Sequence, residues 1–153
     1  MTAVYIKRCE NDRAKQHDSA WALLADSLKK DFGKDMSALT VSYGQRGKPY
    51  FADSNVYFSI SHAEEYVACA ISDDCRVGLD IEKVHSVSER VRNKLLSGCE
   101  DGEKAIEEWT KRESWGKLTG EGALFKGNIP EAANFIVVDV EGGYKLTLCK
   151  AIC

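Results

Sequence analysis

The sequence predicts an α+β protein, antiparallel sheet with helices packed on it. Apolar residues recur at helical spacing in a few stretches, while the rest gather in short runs rich in β-branched and aromatic residues. Compact turn sequences such as Glu141-Gly142-Gly143 join successive runs, which favours hairpins over the strand-helix alternation of a doubly wound parallel fold. The order is strand, helix, strands, helices, strands, so the second half loosely echoes the first without any sequence repeat.

Residues 3–7 read as a strand. From His17 to Phe32, Trp21, Leu24, Leu28 and Phe32 lie near helical spacing, and Gly33 stops the pattern. Residues 39–43 are a further strand, after which Gly44, Gly47 and Pro49 require a loop. VYFSIS, YVACAIS and residues 76–82 are strands, with Asp73-Asp74-Cys75 turning between the last two. Helices are expected over 88–96 and 102–118, broken by Ser97-Gly98 and closed by Gly120. Residues 133–140 and 144–152 form the final hairpin.

With 153 residues and a 44% hydrophobic content, the chain can bury one core, so residues 1–153 are expected to form a single domain. A net charge of −3 gives no general reason to bind nucleic acid or an acidic membrane. No apolar run is long enough to span a bilayer and MTAVYIKRCENDR lacks a signal peptide's apolar stretch, so a cytoplasmic protein is expected. The six cysteines then read as free thiols, and the Cys149/Cys153 spacing without a histidine cluster is a poor zinc site.

Alternation over residues 77–82 puts Val77, Leu79 and Ile81 on one face and Gly78, Asp80 and Glu82 on the other. Carboxylates at i and i+2 can converge on a hard divalent cation, with Gly78 leaving room for a phosphate; the same alternation also describes any half-exposed strand. Trp109, Glu113 and Lys117 share one helical stripe. Glu113 could act as a third metal carboxylate or a general base and Lys117 as a phosphate partner, or the two could form an ordinary surface pair. In Ser59-Ile60-Ser61-His62, neighbouring strand residues point to opposite faces, which disfavours a serine hydrolase, and no G-x-S-x-G occurs. His62 could bind an anion, and Arg46-Gly47-Lys48-Pro49 presents two cations on a tight loop.

Taken in order, GKPYF, FSISHA, VGLDIE and WTKRESWGKLTGEG resemble the 4′-phosphopantetheinyl transferases, specifically the larger surfactin-synthetase-activating type, over roughly the last two-thirds of the chain. The resemblance implies a pseudo-dimer of two α+β halves, here about 1–72 and 73–153, with coenzyme A in the cleft between them. It implies magnesium held by Asp80, Glu82 and Glu113, and coenzyme A held by Arg46, Lys48, Pro49, Ser61, His62 and Lys117. Glu113 and Lys117 would be the catalytic pair. The expected partner is an apo acyl- or peptidyl-carrier protein whose serine receives the phosphopantetheine arm, and the enzyme is expected to be monomeric. Three departures from the family pattern stand out. Arg112-Glu113 replaces the usual Lys-Glu pair, Ser59 replaces the usual Asn, and the shortened region before GKPYF lacks an obvious basic set for the nucleotide, with Lys7, Arg8 and Arg13 as the candidates there. Two other functions use the same residues: a magnesium-dependent nucleotide phosphohydrolase, and a non-catalytic coenzyme A or carrier-protein binder.

Overall fold

The computed structural model describes residues 1–152; Cys153, and with it the Cys149/Cys153 spacing, lies outside them. The elements are β1 (Thr2–Arg8), α1 (Arg13–Phe32), a 3-10 turn (Met36–Ala38), β2 (Val41–Tyr43), β3 (Pro49–Phe51), β4 (Tyr57–Ala63), β5 (Tyr66–Ser72), β6 (Val77–Lys83), α2 (Glu89–Leu95), α3 (Glu103–Thr119), β7 (Asn134–Val140) and β8 (Tyr144–Lys150).

All strand pairs are antiparallel, as the hairpin signals predict. The strands form two three-stranded sheets, ordered β1-β5-β4 and β6-β8-β7, and a separate β2-β3 ribbon. In each three-stranded sheet the strand following the first helix is an edge, and the last strand is inserted at the centre. Both sheets therefore share the strand order first, third, second, although α1 and the β2-β3 ribbon separate the first two strands of one sheet and α2 and α3 those of the other.

Helix α1 begins four residues before the expected start. Asp12 caps it by accepting from the Lys15 backbone N–H, and Gly33 ends it in a left-handed conformation with its own N–H on the Leu28 carbonyl. The added turn carries Gln16, which is buried and donates to the Glu64 carbonyl, so a polar residue extends the buried face that apolar periodicity alone does not mark. Leu24 and Leu28 pack with Phe51, Val56, Phe58, Cys69 and Ile71 on one side of the first sheet. Its other side contributes Tyr66, Ala68 and Ala70 to a second core completed by Val77, Leu79, Ile81, Tyr144, Leu146 and Leu148. The layers run helix, sheet, sheet, helix.

Two turns differ from expectation. The loop at 44–48 is the tip of the β2-β3 ribbon, closed by a Gly44 N–H to Lys48 carbonyl bond of 2.9 Å, and Pro49 opens β3. Asp73-Asp74-Cys75 does not close a hairpin. It carries the chain from the first sheet to the second, and β5 pairs instead with β1 and β4.

Candidate active site

Strand β6 is not the half-exposed strand that its alternation suggests, because Val77 to Ile81 are all buried. One face enters the inter-sheet core and the other is covered by α3. Gly78 makes this possible: a Cβ there would stand 1.9 Å from the Ser114 carbonyl oxygen and 2.7 Å from the Leu118 nitrogen. The space beside Gly78 is thus filled by helix backbone and leaves no room for a phosphate. Gly116 permits a second close approach on the outer side of α3, where a Cβ would fall 2.4 Å from the Gly122 carbonyl carbon of the segment that folds back over the helix.

The close approach sets α3 side chains against the acidic face of β6. Lys117 reaches Asp80, with Nζ 3.1 Å from Oδ1 and 3.0 Å from the Ser61 hydroxyl. Asp80 is 5% exposed, and its Oδ1 also accepts from Ser61 at 3.2 Å. Its Oδ2 is buried with no hydrogen-bond partner. Lys117 is thereby removed from the Glu113-Lys117 surface pairing that helical spacing allows. Glu82 and Glu113 lie close enough to Asp80 to feel its charge. Burial, then Asp80, raises the pKa of Glu113, with Glu82 adding to the rise and Lys117 opposing it. Burial and Asp80 also raise Glu82, whose Oε1 stands 3.5 Å from His85 Nε2. Asp80 itself is raised by burial, partly offset by Lys117 and Ser61. Burial is the first cause of the rise in all three carboxylates, and the charge of Asp80 adds to it at Glu82 and Glu113; a cation or a proton relieves both.

Among the described residues no group of three or more His, Cys, Asp or Glu side chains is gathered to hold a metal as the side chains stand. The donor chemistry nevertheless fits a hard divalent ion: all-oxygen ligands, mutual repulsion, and an unpartnered Asp80 Oδ2.

Ser59 and Ser61 have a role that residue spacing does not reveal. Their hydroxyls accept the backbone N–H groups of Leu79 at 3.0 Å and Ile81 at 3.2 Å, stitching β4 to β6 where no strand ladder forms. Ser61 is buried and its hydroxyl already serves Ile81, Asp80 and Lys117, so it positions those groups and does not present a free hydroxyl to a ligand. His62, on the opposite face of β4, is exposed. Loss of hydration and the positive charges of Lys117, Arg13 and His17 lower its pKa, with Asp80 opposing.

Arg46, Lys48, Pro49 and Lys117 line one cleft of about 220 Å³, together with Gly116 and Gly120; Ser61 and His62 are absent from its wall. A larger cleft of about 410 Å³ adjoins it through Arg46, Lys48 and Gly120. Lys48 donates to the Val77 carbonyl at 3.4 Å, and burial, with Arg76 and Lys117 nearby, lowers its pKa to about 8. Arg46 donates through Nη1 to the Glu121 carbonyl, closing the ribbon tip onto the segment after α3. Arg112 faces away from the carboxylates. It is 5% exposed, donates through Nε to the Ala123 carbonyl at 2.6 Å and through Nη2 to the Phe125 carbonyl, and lies 4.0 Å from the Phe125 ring centroid. The planar fork matches several diverging carbonyls, which a lysine head could not.

Cys9, Cys69, Cys99 and Cys149 are free thiols. No helix among the described residues is long and apolar enough to cross a membrane.

Comparison with known proteins adds three relatives. The 4′-phosphopantetheinyl transferase gsp of Aneurinibacillus migulanus is 28% identical over 132 residues, covering 68% of this chain and 55% of the relative. The 4′-phosphopantetheinyl transferase HetI of Nostoc sp. is 28% identical over 117 residues, covering 65% and 49%. The 4′-phosphopantetheinyl transferase AcpT of Escherichia coli O157:H7 is 40% identical over 45 residues, covering 29% and 23%. No family model matches the chain. The chain spans about half the length of the first two relatives.

Proposed function

We propose that this chain, a relative of the 4′-phosphopantetheinyl transferases and similar to their larger surfactin-synthetase-activating type, transfers 4′-phosphopantetheine from coenzyme A to a serine of an apo acyl- or peptidyl-carrier protein. The observation that carries the reading is the meeting of its separate motifs: the Asp80-Lys117-Ser61 contact joins VGLDIE, the α3 motif and FSISHA, beside a cleft lined by the GKP loop.

In this reading Asp80, Glu82 and Glu113 hold magnesium, with Asp80 offering its unpartnered Oδ2. A bound magnesium ion would supply neutralisation of the phosphate charge. Glu113, whose pKa is raised by burial and by Asp80, suits a general base that takes the proton of the carrier serine. The serine oxygen forms a new bond to the phosphorus that bears the pantetheine arm, and the bond from that phosphorus to the departing oxygen breaks, releasing adenosine 3′,5′-bisphosphate. Lys117, tethered between Asp80 and Ser61, offers a cation to the phosphates from the cleft wall. Arg46, Lys48 and Pro49 hold the nucleotide from the other side. His62 contacts coenzyme A only at its periphery, and Ser61 acts through its neighbours. The two sheets of equal strand order support a pseudo-dimer with halves at about 1–72 and 73–153, working as a cytoplasmic monomer.

Incubation with apo carrier proteins, coenzyme A and magnesium, followed by mass spectrometry, tests this. The expected product carries one phosphopantetheine per carrier, and substitution of Asp80 by Ala abolishes it in a folded protein. Failure to modify any of several carriers would refute transfer. Release of adenosine 3′,5′-bisphosphate without carrier modification would establish a phosphohydrolase instead.

A further inference from the structure

The larger cleft carries one cation, Arg76, to which the proposed function gives no role. Its lining carries Arg46, Lys48 and Arg76 and no aspartate or glutamate, in a chain whose 24 acidic residues outnumber its 21 lysines and arginines. Arg76 is exposed at the crossing between the sheets and makes no ion pair among the described residues. The acids that precede it are engaged elsewhere: Asp73 pairs with the amino group of Met1, and Asp74 accepts from Thr2 at 3.1 Å. Lys48 spans the same volume to the Val77 carbonyl, next to Arg76 in sequence, and the charge of Arg76 helps to depress its pKa. Lys48 and Arg76 thus share a cavity without a counter-ion among the described residues, a cost that a bound anion relieves. Tyr50 and Tyr57, 48% and 40% exposed, line the cleft with Phe58 and offer apolar ring surface beside the charges.

Val77 and Asp80 are three residues apart on β6, about 10 Å along an extended strand. An anion seated between Lys48 and Arg76 is therefore distinct from a phosphate reacting at the carboxylates. A ligand reaching both places needs two phosphate positions and, given the aromatic wall, a ring system near the outer one.

We infer that Arg76 is a specificity-determining residue that binds, with Lys48, the nucleotide phosphate remote from the reacting centre. The inference rests on the transferase reading, in which that group is the 3′-phosphate of coenzyme A. Arg76 then sets the preference for coenzyme A over its 3′-dephosphorylated form.

Calorimetric titration at low salt with adenosine 3′,5′-bisphosphate and with adenosine 5′-monophosphate tests it. Wild type is expected to prefer the bisphosphate. Arg76→Gln should weaken the bisphosphate by about tenfold or more and leave the monophosphate within about twofold, so that the preference collapses. Arg76→Lys should restore some of it. An unchanged preference in Arg76→Gln, equal weakening of both ligands, or a wild type that does not discriminate would each overturn the inference. Arg76 is exposed, so the substitution leaves no buried group unpaired. The carrier assay on the same preparations separates the two readings. A wild type that modifies a carrier while Arg76→Gln keeps its preference loses only the Arg76 assignment. A wild type that shows the Arg76-dependent preference but modifies no carrier retains that assignment and loses the transferase reading.

Discussion

Replacing Gly78 by alanine adds one methyl group at the tightest point of the molecule. The new Cβ would lie 1.9 Å from the Ser114 carbonyl oxygen, whereas ordinary contacts begin near 3.4 Å, so α3 must retreat from β6 by about 1.5 Å. Both sides of the clash are backbone, and the second contact, at 2.7 Å to the Leu118 nitrogen, blocks a sideways escape. Overpacking of this kind costs about 1–3 kcal/mol, and two backbone clashes place Gly78→Ala at the upper end. For a chain of this size a loss of about 3 kcal/mol lowers the melting temperature by roughly 6–12 °C. The retreat also carries Glu113 and Lys117 away from Asp80. A displacement of about 1 Å in such a constellation costs on the order of a hundredfold in rate. Scanning calorimetry measures the first effect and carrier modification the second. Gly44→Ala is the stability control, since its Cβ would meet nothing nearer than 3.7 Å. A Gly78→Ala protein that melts like wild type and retains its rate would refute the close-approach account.

Three further outcomes are expected. Because Asp80, Glu82 and Glu113 have folded-state pKa values above their usual ones, their contribution to stability is fully present below the ordinary carboxylate pKa and is lost as pH rises through the folded values. Metal-free Glu113→Gln should therefore melt above wild type at pH 7.5 with no such advantage at pH 4, and a pH-independent difference would contradict this. Lys48, with its pKa lowered to about 8, should lose charge and weaken adenosine 3′,5′-bisphosphate binding between pH 7 and 9, whereas Lys48→Arg should bind with little pH dependence in titrations over that range. Arg112→Lys should cost about 2 kcal/mol by leaving the Ala123 and Phe125 carbonyls under-satisfied, with faster proteolytic cleavage near residues 120–127 as the readout; equal cleavage rates would remove Arg112 from this role.

Local signals in the sequence are enough to place the long helices and most strands. Gly33 and the Glu141-Gly142-Gly143 turn act through the backbone of their own neighbourhood. What escapes is set by partners far along the chain. Ser59 and Ser61 look like ordinary strand residues until β6, 20 residues later, supplies the N–H groups they accept. Gly78 suggests open space because nothing local reveals that α3 descends onto it. The sequence proposes the acidic residues of VGLDIE and Glu113 as partners, and the structure brings Glu113 within electrostatic reach of Asp80 and Glu82 without gathering the three as a metal-holding group among the described residues. Helical periodicity puts Lys117 on the same stripe as Glu113 and leaves its partner open, since spacing cannot weigh Glu113 against Asp80 on another element, which the structure gives it. Arg76 carries no signal at all: a single arginine after a turn becomes informative only when the cleft wall around it proves free of acids.

The unequal faces of the inter-sheet core bear on biosynthesis. The first sheet contributes Tyr66, Ala68 and Ala70 with Val4 and Ala63 partly buried at the margin, whereas the second contributes Val77, Leu79, Ile81, Leu146 and Leu148 with Tyr144 and, partly buried, Val140. A ribosome releases the first sheet complete once β5 has emerged, before any of its covering partner exists. The surface that must wait is the less greasy of the two, so the nascent first half presents few groups to chaperones or to neighbouring chains. The leucine-rich partner is finished only with β8, by which time its docking surface is already in place. Enlarging Ala68 or Ala70 to leucine should therefore increase aggregation of stalled nascent chains ending near residue 110, a change visible by sedimentation.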